Sequence, residues 1–214
     1  MSSSKVEGES YWETRDPMDG RRDWRNRGTD WIEEYVISAW HPHRALILDA
    51  LKDLEVFYSV LEIGCSAGPN LYRIQKAFKS KFLVGIDINE ASIKRARKFV
   101  PDAVFSVASM GDFRVADSNY DIGIADAVLM YADDKLCERA FSEFDRVIRK
   151  ALIIVDWYDE SKKGVVKDFH WARNYPEWCK KHGFPNVVSV PLSEKTWPHP
   201  TWIKNGRLFI AQRA

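Results

Sequence analysis

The chain has 214 residues, 45% hydrophobic and 29% charged, with a net charge of +1. That length suits one domain with a sizeable core, and the composition is that of an ordinary globular protein. Balanced charge without a long basic run argues against a nucleic-acid partner or an anionic membrane surface, and no apolar stretch is long enough to span a bilayer.

The N-terminus, MSSSKVEGES, is polar and lacks the apolar core of a signal peptide. The three cysteines, Cys65, Cys137 and Cys179, are odd in number and widely spaced. This argues against a disulfide framework and a zinc site, so no metal is expected and a reducing cytoplasm is the simplest home. Trp31, Ile32, Tyr35, Val36 and Ala39 fall on one helical face, with Asp30 and Glu33 spaced as a capping box. WHPHR (40–44) then marks a boundary between two helices. VFYSVLEI (56–63) reads as a strand. Pro69 suits a first helical turn, and Leu71, Ile74 and Phe78 mark the face of the helix that follows.

KFLVGIDI (81–88) is the second strand, and Ile93, Ala96 and Val100 line the next helix. AVFSVA (103–108) is the third strand, and YDIGIADAVL (120–129) contains a fourth. Leu136, Ala140, Phe144, Val147 and Ile148 form a helical stripe before the fifth strand, KALIIVDW (150–157). NVVSVPL (186–192) and GRLFIAQR (206–213) are two more strands, with no convincing helix between them. The expected fold class is α/β: a doubly wound, mostly parallel seven-stranded sheet with an antiparallel C-terminal pair and an N-terminal helical cover. Residues 1–44 are read as a helical or lid segment and 45–214 as the nucleotide-binding domain.

In such sheets ligands bind beyond the carboxyl ends of the strands. Gly64 to Gly68, Asp87, Ser109 with Met110 and Asp112, Asp126 and Asp156 all fall at or near those ends. The glycines permit close backbone approach and aim a helix N-terminus at a ligand, or they merely make a tight turn. Asp87, 19 residues past Gly68, can accept from both hydroxyls of a ribose, which favours the ligand reading.

EIGCSAG (62–68), with Glu62 two residues before Gly64, resembles motif I of class I S-adenosylmethionine-dependent methyltransferases. Ser66 stands where that family typically has a middle glycine. An acid beside the loop would repel a pyrophosphate but suits a cofactor bearing an ammonium and a sulfonium. VGIDINEASIKRAR (84–97) resembles the family's ribose-binding strand and helix, and residues 105–131 resemble its adenine-lining segment. The resemblance covers roughly residues 55–160 and implies a Rossmann-like methyltransferase domain. It implies S-adenosyl-L-methionine held by Glu62, Gly64, Cys65, Ser66, Gly68, Asp87, Ile88, Ser109, Met110 and Asp126. NAD and the aminopropyl-transferring relatives of the fold are the runner-up nucleotide readings.

After the fourth strand the chain reads ADAVLMYAD, without the Pro-Pro-aromatic clamp by which family members hold a flat base. None of the nine tryptophans falls between residues 41 and 156, so Trp-rich flanks bracket a Trp-free core. The flanks either wall the second half of a pocket or simply glue the N-terminal helix down. Methyl transfer asks for alignment, exclusion of water and, where needed, removal of a proton. The candidate catalytic residues are His170, in KDFHWARNY, with Tyr131 and Asp126 at the fourth-strand exit. His41 and His43 rank behind them because Pro42 suggests a helix boundary, while Arg44 and Arg173 could hold an anionic group or form ordinary ion pairs. The expected activity is methyl transfer to an O or N atom of a small molecule. RNA or protein methylation and a silent cofactor-binding module are the alternatives.

Overall fold

The computed structural model of the chain describes residues 4–16, 30–54, 56–79, 81–116, 120–161, 164–167 and 170–214. Its centre is a seven-stranded sheet built from β1 (Ser59–Ile63), β2 (Phe82–Asp87), β3 (Val104–Val107), β4 (Tyr120–Asp126), β5 (Ile148–Trp157), β8 (Asn186–Pro191) and β9 (Gly206–Gln212). The strands lie in the order β3-β2-β1-β4-β5-β9-β8. The first five pair in parallel. β9 pairs antiparallel with both β5 and β8. The strand order reverses direction between β1 and β4, which places a topological switch point beside the carboxyl ends of those strands.

The helices sort onto the two faces by the alternation of strand side chains. Val60, Ile122, Ile124, Ile153 and Val155 pack under α3 (His43–Asp53), α4 (Pro69–Ala77) and α5 (Glu90–Phe99) through Ile47, Leu51, Leu71, Ile74, Ile93 and Ala96. Leu61, Ile63, Leu152 and Ile154 pack against α6 (Asp134–Val147) and α7 (Tyr175–Lys181) through Leu136, Phe141, Phe144 and Tyr175. Local signals set the helix starts. Asn89 accepts from Ser92 N at 2.8 Å to cap α5, and Asp133 accepts from Leu136 N at 2.8 Å to cap α6.

Ahead of this core come α1 (Ser4–Thr14), α2 (Trp31–Ile37) and a 3-10 turn, Ser38–Trp40. Asp30 caps α2 by accepting from Ile32 N at 2.8 Å. Only half of the expected capping box forms, because Glu33 pairs with Arg95 on α5 instead (Nη2 to Oε2, 3.1 Å). The division expected at 44/45 runs through the first turn of α3, which continues across it as one helix.

Two features differ from the sequence-based expectation. A short helix, α8 (Pro200–Asn205), stands between β8 and β9, where none is expected. Six residues are too few to show a helical period, and its start is set by His199 and Pro200. A second, two-stranded sheet pairs β6 (Gly164–Lys167) with β7 (His170–Ala172). No helix among the described residues is long and apolar enough to cross a membrane.

Candidate active site

The loop after β1 is built on left-handed backbone. Gly64, Ser66 and Gly68 have φ of 62°, 46° and 80°. Glycine enters that region without steric cost, whereas Ser66 is strained there, which is why a glycine is usual at its position in the motif. Ser66 N donates to Asp87 Oδ2 at 2.8 Å and Asn89 N donates to Asp87 Oδ1 at 2.9 Å. The acid at the end of β2 therefore ties the loop to the start of α5. Burial pushes its carboxyl above the ordinary value, opposed by these N–H donors.

A cavity of about 450 Å³ opens over these strand ends. Of the residues singled out in the sequence, Gly64, Ser66, Asp87, Ile88, Met110, Asp126 and Tyr131 line it. Glu62, Cys65, Gly68, Ser109 and His170 do not form its wall. Glu62 lies beneath the loop, 2% exposed, and accepts from Asn70 Nδ2 at 2.7 Å through Oε1. Burial pushes its carboxyl up to about 8, against the Asn70 hydrogen bond. The Cys65 thiol points into the core beside Gly85, and burial raises it well above its ordinary value. Gly68 donates its N–H to Cys65 O at 2.8 Å. A Cβ at Gly68 would meet Phe105 at 3.2 Å and Val100 at 3.3 Å, so turn geometry and core packing explain that glycine. A Cβ at Gly64 would instead collide with Val128 at the cavity wall.

Ser109, expected near an adenine, has its hydroxyl engaged by Glu9 of α1 and by Gly111 N at 3.0 Å. Glu9 lines the cavity and delivers a carboxylate that the loop after β3 does not supply. Nothing in the sequence marks it, because 100 residues separate the pair. Asn89 Nδ2 donates to Trp12 O at 2.8 Å and Arg15 O at 3.2 Å, and Trp31 Nε1 donates to Asp16 O at 2.8 Å. These bonds seat the N-terminal segment over the strand ends. Trp12 packs edge-on to both Trp31 and Tyr131, at 5.7 and 5.1 Å between centroids. From the other flank, Trp197 and Trp202 stack at 3.8 Å and line the same cavity. Trp24 lies outside the described residues.

His170 is the main departure from expectation. Its ring packs 4.9 Å from Tyr131 and 5.3 Å from Trp157, behind the wall rather than in it. The histidines at the cavity are His41 and His43. His43 is 3% exposed, stacks on Trp197 at 4.1 Å and meets Asp126 Oδ2 through Nε2 at 2.9 Å. Its Nδ1 faces His41 Nδ1 at hydrogen-bond distance. Arg44 donates to Asp126 Oδ2 at 2.7 Å and to Ser38 O at 2.8 Å, so its charge is committed to the structure rather than to an anionic ligand. Arg173 is likewise buried, donating to Leu129 O and Ala132 O. Burial raises the Asp126 carboxyl, but His43 and Arg44 beside it, with the hydrogen bonds from His43 and Asn70, outweigh burial and hold it well below the carboxylate range.

Four buried oxygens around the loop lack hydrogen-bond partners: Glu62 Oε2, Ser66 Oγ, Asn70 Oδ1 and Asp126 Oδ1. Buried polar atoms are rarely left in that state. Asn70 Oδ1 and Asp126 Oδ1 can only accept, which fits a ligand that brings N–H and O–H donors and positive charge.

Sheet order, the left-handed Gly-x-Ser-x-Gly turn and the strand-end acids define a class I Rossmann-like fold, and the unsatisfied acceptors suit the ammonium and hydroxyls of S-adenosylmethionine. Known proteins point the same way. Residues 60–151 match a methyltransferase-domain family profile. Trans-aconitate 2-methyltransferase from Escherichia coli O17:K52:H18 (strain UMN026 / ExPEC) is 25% identical over 170 residues, covering 75% of this chain and 67% of the relative. Magnesium protoporphyrin IX methyltransferase from Synechocystis PCC 6803 with bound SAH superposes with a TM-score of 0.66 at 14% identity, over 96% of this chain and 98% of that one. Geranyl diphosphate methyltransferase in complex with GPP and sinefungin superposes at 0.65 with 16% identity, over 80% and 78%. The chain is a class I S-adenosylmethionine-dependent methyltransferase, and S-adenosylmethionine is its cofactor.

Proposed function

We propose that this enzyme methylates an oxygen or nitrogen atom of a small molecule inside the cavity, with the described part of the N-terminal segment, residues 4–16 and 30–44, serving as its cover. The supporting observation is the aromatic enclosure. Trp12 and Trp31 from one flank and Trp197 and Trp202 from the other line the same cavity as Asp87. Its volume of about 450 Å³ falls in the range of small-molecule sites. The E. coli relative acts on trans-aconitate and one structural neighbour on geranyl diphosphate, which supports a small acceptor here too.

In this reading Asp87 accepts from the ribose hydroxyls of the cofactor, and Asp126, Asn70 and Ser66 take its ammonium, with Glu62 beneath them. Ile88 and Met110 pack on the adenine, and Glu9 takes the adenine amino group in place of Ser109. The bound cofactor supplies an electrophilic methyl group. The protein's remaining work is to orient the acceptor and exclude water, which the tryptophans and Tyr131 do. His170 acts only as support for Tyr131.

The test uses the enzyme with methyl-tritiated S-adenosylmethionine and a cell extract split into small-molecule, RNA and protein fractions. Label is expected in the small-molecule fraction. Label in RNA or protein would overturn the reading, and cofactor binding with no label anywhere would identify a silent module.

A further inference from the structure

The pairing at the cavity wall has chemical content beyond packing. Two Nδ1 atoms at hydrogen-bond distance need one proton between them. His43 donates its Nε2–H to Asp126 Oδ2, because a carboxylate can only accept. With His43 uncharged, the lone pair lies on its Nδ1 and the Nδ1–H of His41 points to it. The remaining nitrogen of His41, Nε2, is left with a lone pair on a half-buried residue that lines the cavity.

We infer that His41 is the general base of the reaction, that His43 takes the proton on from it with Asp126 holding the resulting charge, and that the acceptor is a hydroxyl or an amine. This rests on the small-molecule reading above. As the acceptor oxygen or nitrogen bonds to the methyl carbon, the sulfur–methyl bond breaks and its electron pair stays on sulfur, leaving S-adenosylhomocysteine. The acceptor's proton passes to His41 Nε2. The Nδ1 proton of His41 moves to His43 Nδ1 in the same sense. The positive charge comes to rest on His43, bonded to Asp126 and stacked on Trp197.

The relay answers an electrostatic difficulty. Burial is the largest cause that lowers His41 to about 4, and Asp126 opposes it. A base so depressed holds a proton poorly by itself, whereas handing it on places the charge beside the carboxylate. The arrangement also selects the acceptor. A carboxylate is already ionised near neutral pH and has no proton to give up. A hydroxyl or amine does.

Two measurements test this while the substrate is still unidentified. The first is nitrogen NMR of the protein labelled in its histidine rings, with signals assigned through His41→Gln and His43→Gln. It should show His41 protonated on Nδ1 with a lone pair on Nε2, and His43 protonated on Nε2. His43→Phe should return His41 to the common Nε2–H tautomer, while calorimetry with S-adenosylhomocysteine confirms an intact cofactor site. His41 already in the Nε2–H tautomer in the wild type would overturn the relay, whatever the variants do. The second measurement takes the tritium-labelled small-molecule fraction and treats it with mild alkali. Ethers and methylamines keep their label, as expected. Volatile labelled methanol would reveal a carboxyl ester and overturn the acceptor class, while a small-molecule fraction without label would count against the function reading itself. His41→Gln should slow labelling by about 100-fold or more.

Discussion

Asp126 Oδ2 and His43 Nε2, 83 residues apart in sequence, meet at 2.9 Å at the cavity wall. Arg44 at 2.7 Å and Asn70 at 2.9 Å converge on the same oxygen. One carboxylate oxygen therefore joins β4, α3 and α4. Asp126→Ala would strand a buried guanidinium, so it should cost about 3–5 kcal/mol in urea unfolding. The pH sense follows from the depressed carboxyl. Its stabilisation is present above the ordinary value of 3.8 and is lost as pH falls through the lower folded value. The stability gap between wild type and Asp126→Asn should hold steady down to about pH 3.8 and shrink as pH falls from there toward the lower folded value.

Glu62 behaves in the opposite sense. Its carboxyl is pushed from 4.5 up to about 8 by burial. Below 4.5 the folded and unfolded states are both protonated there, so its protonated form carries no pH penalty. Between 4.5 and about 8 the unfolded chain ionises and the folded chain does not, so stability falls as pH rises. Glu62→Gln removes that dependence. Its stability relative to wild type should climb across this window by up to about 1.4 kcal/mol per pH unit. Urea unfolding across the window measures the slope, and parallel curves for the two proteins would exclude the buried-acid explanation.

The glycines of the β1 loop should separate by function. Gly68→Val forces a branched residue into left-handed backbone and against Phe105 and Val100. A loss of about 2–5 kcal/mol is expected, with the folded fraction still binding S-adenosylhomocysteine. Gly64→Val acts at the cavity wall and should abolish binding. Thermal melts and calorimetry on both variants distinguish the two roles.

Glu9 is expected to matter for the cofactor although it lies far from the nucleotide motifs. Glu9→Ala should weaken S-adenosylhomocysteine binding about tenfold or more, the loss of a hydrogen bond to a charged group. Ser109→Ala should do less, since its hydroxyl is turned to Glu9 and Gly111. Equal affinity in wild type and Glu9→Ala would remove α1 from the cofactor site.

The parts of the molecule legible in sequence are those with a period. Strands such as KALIIVDW and the stripe from Leu136 to Val147 show their buried faces directly, whereas Ile148, read with that stripe, opens β5; the acids at strand ends mark the ligand edge. What stays hidden depends on pairings at a distance. WHPHR reads as a helix boundary, and it is one, with Pro42 preceding α3. Nothing local reveals that His43 reaches Asp126 and that His41 pairs with His43. His170 reads as better placed because it follows the fifth strand, but β7 turns it behind Tyr131. α8, β6 and β7 are too short to carry a period of their own.

We expect the cavity over β1, β2 and β4 to hold S-adenosylmethionine through the acid at the end of β2. Calorimetry with S-adenosylhomocysteine on wild type and Asp87→Ala tests it most directly. The variant loses the acceptor for two ribose hydroxyls, hydrogen bonds worth about 1.5–3 kcal/mol each to a charged partner. The expected result is saturable binding by the wild type and affinity at least about tenfold weaker in a folded variant. Equal affinity in the two proteins, with the variant still folded, would contradict it.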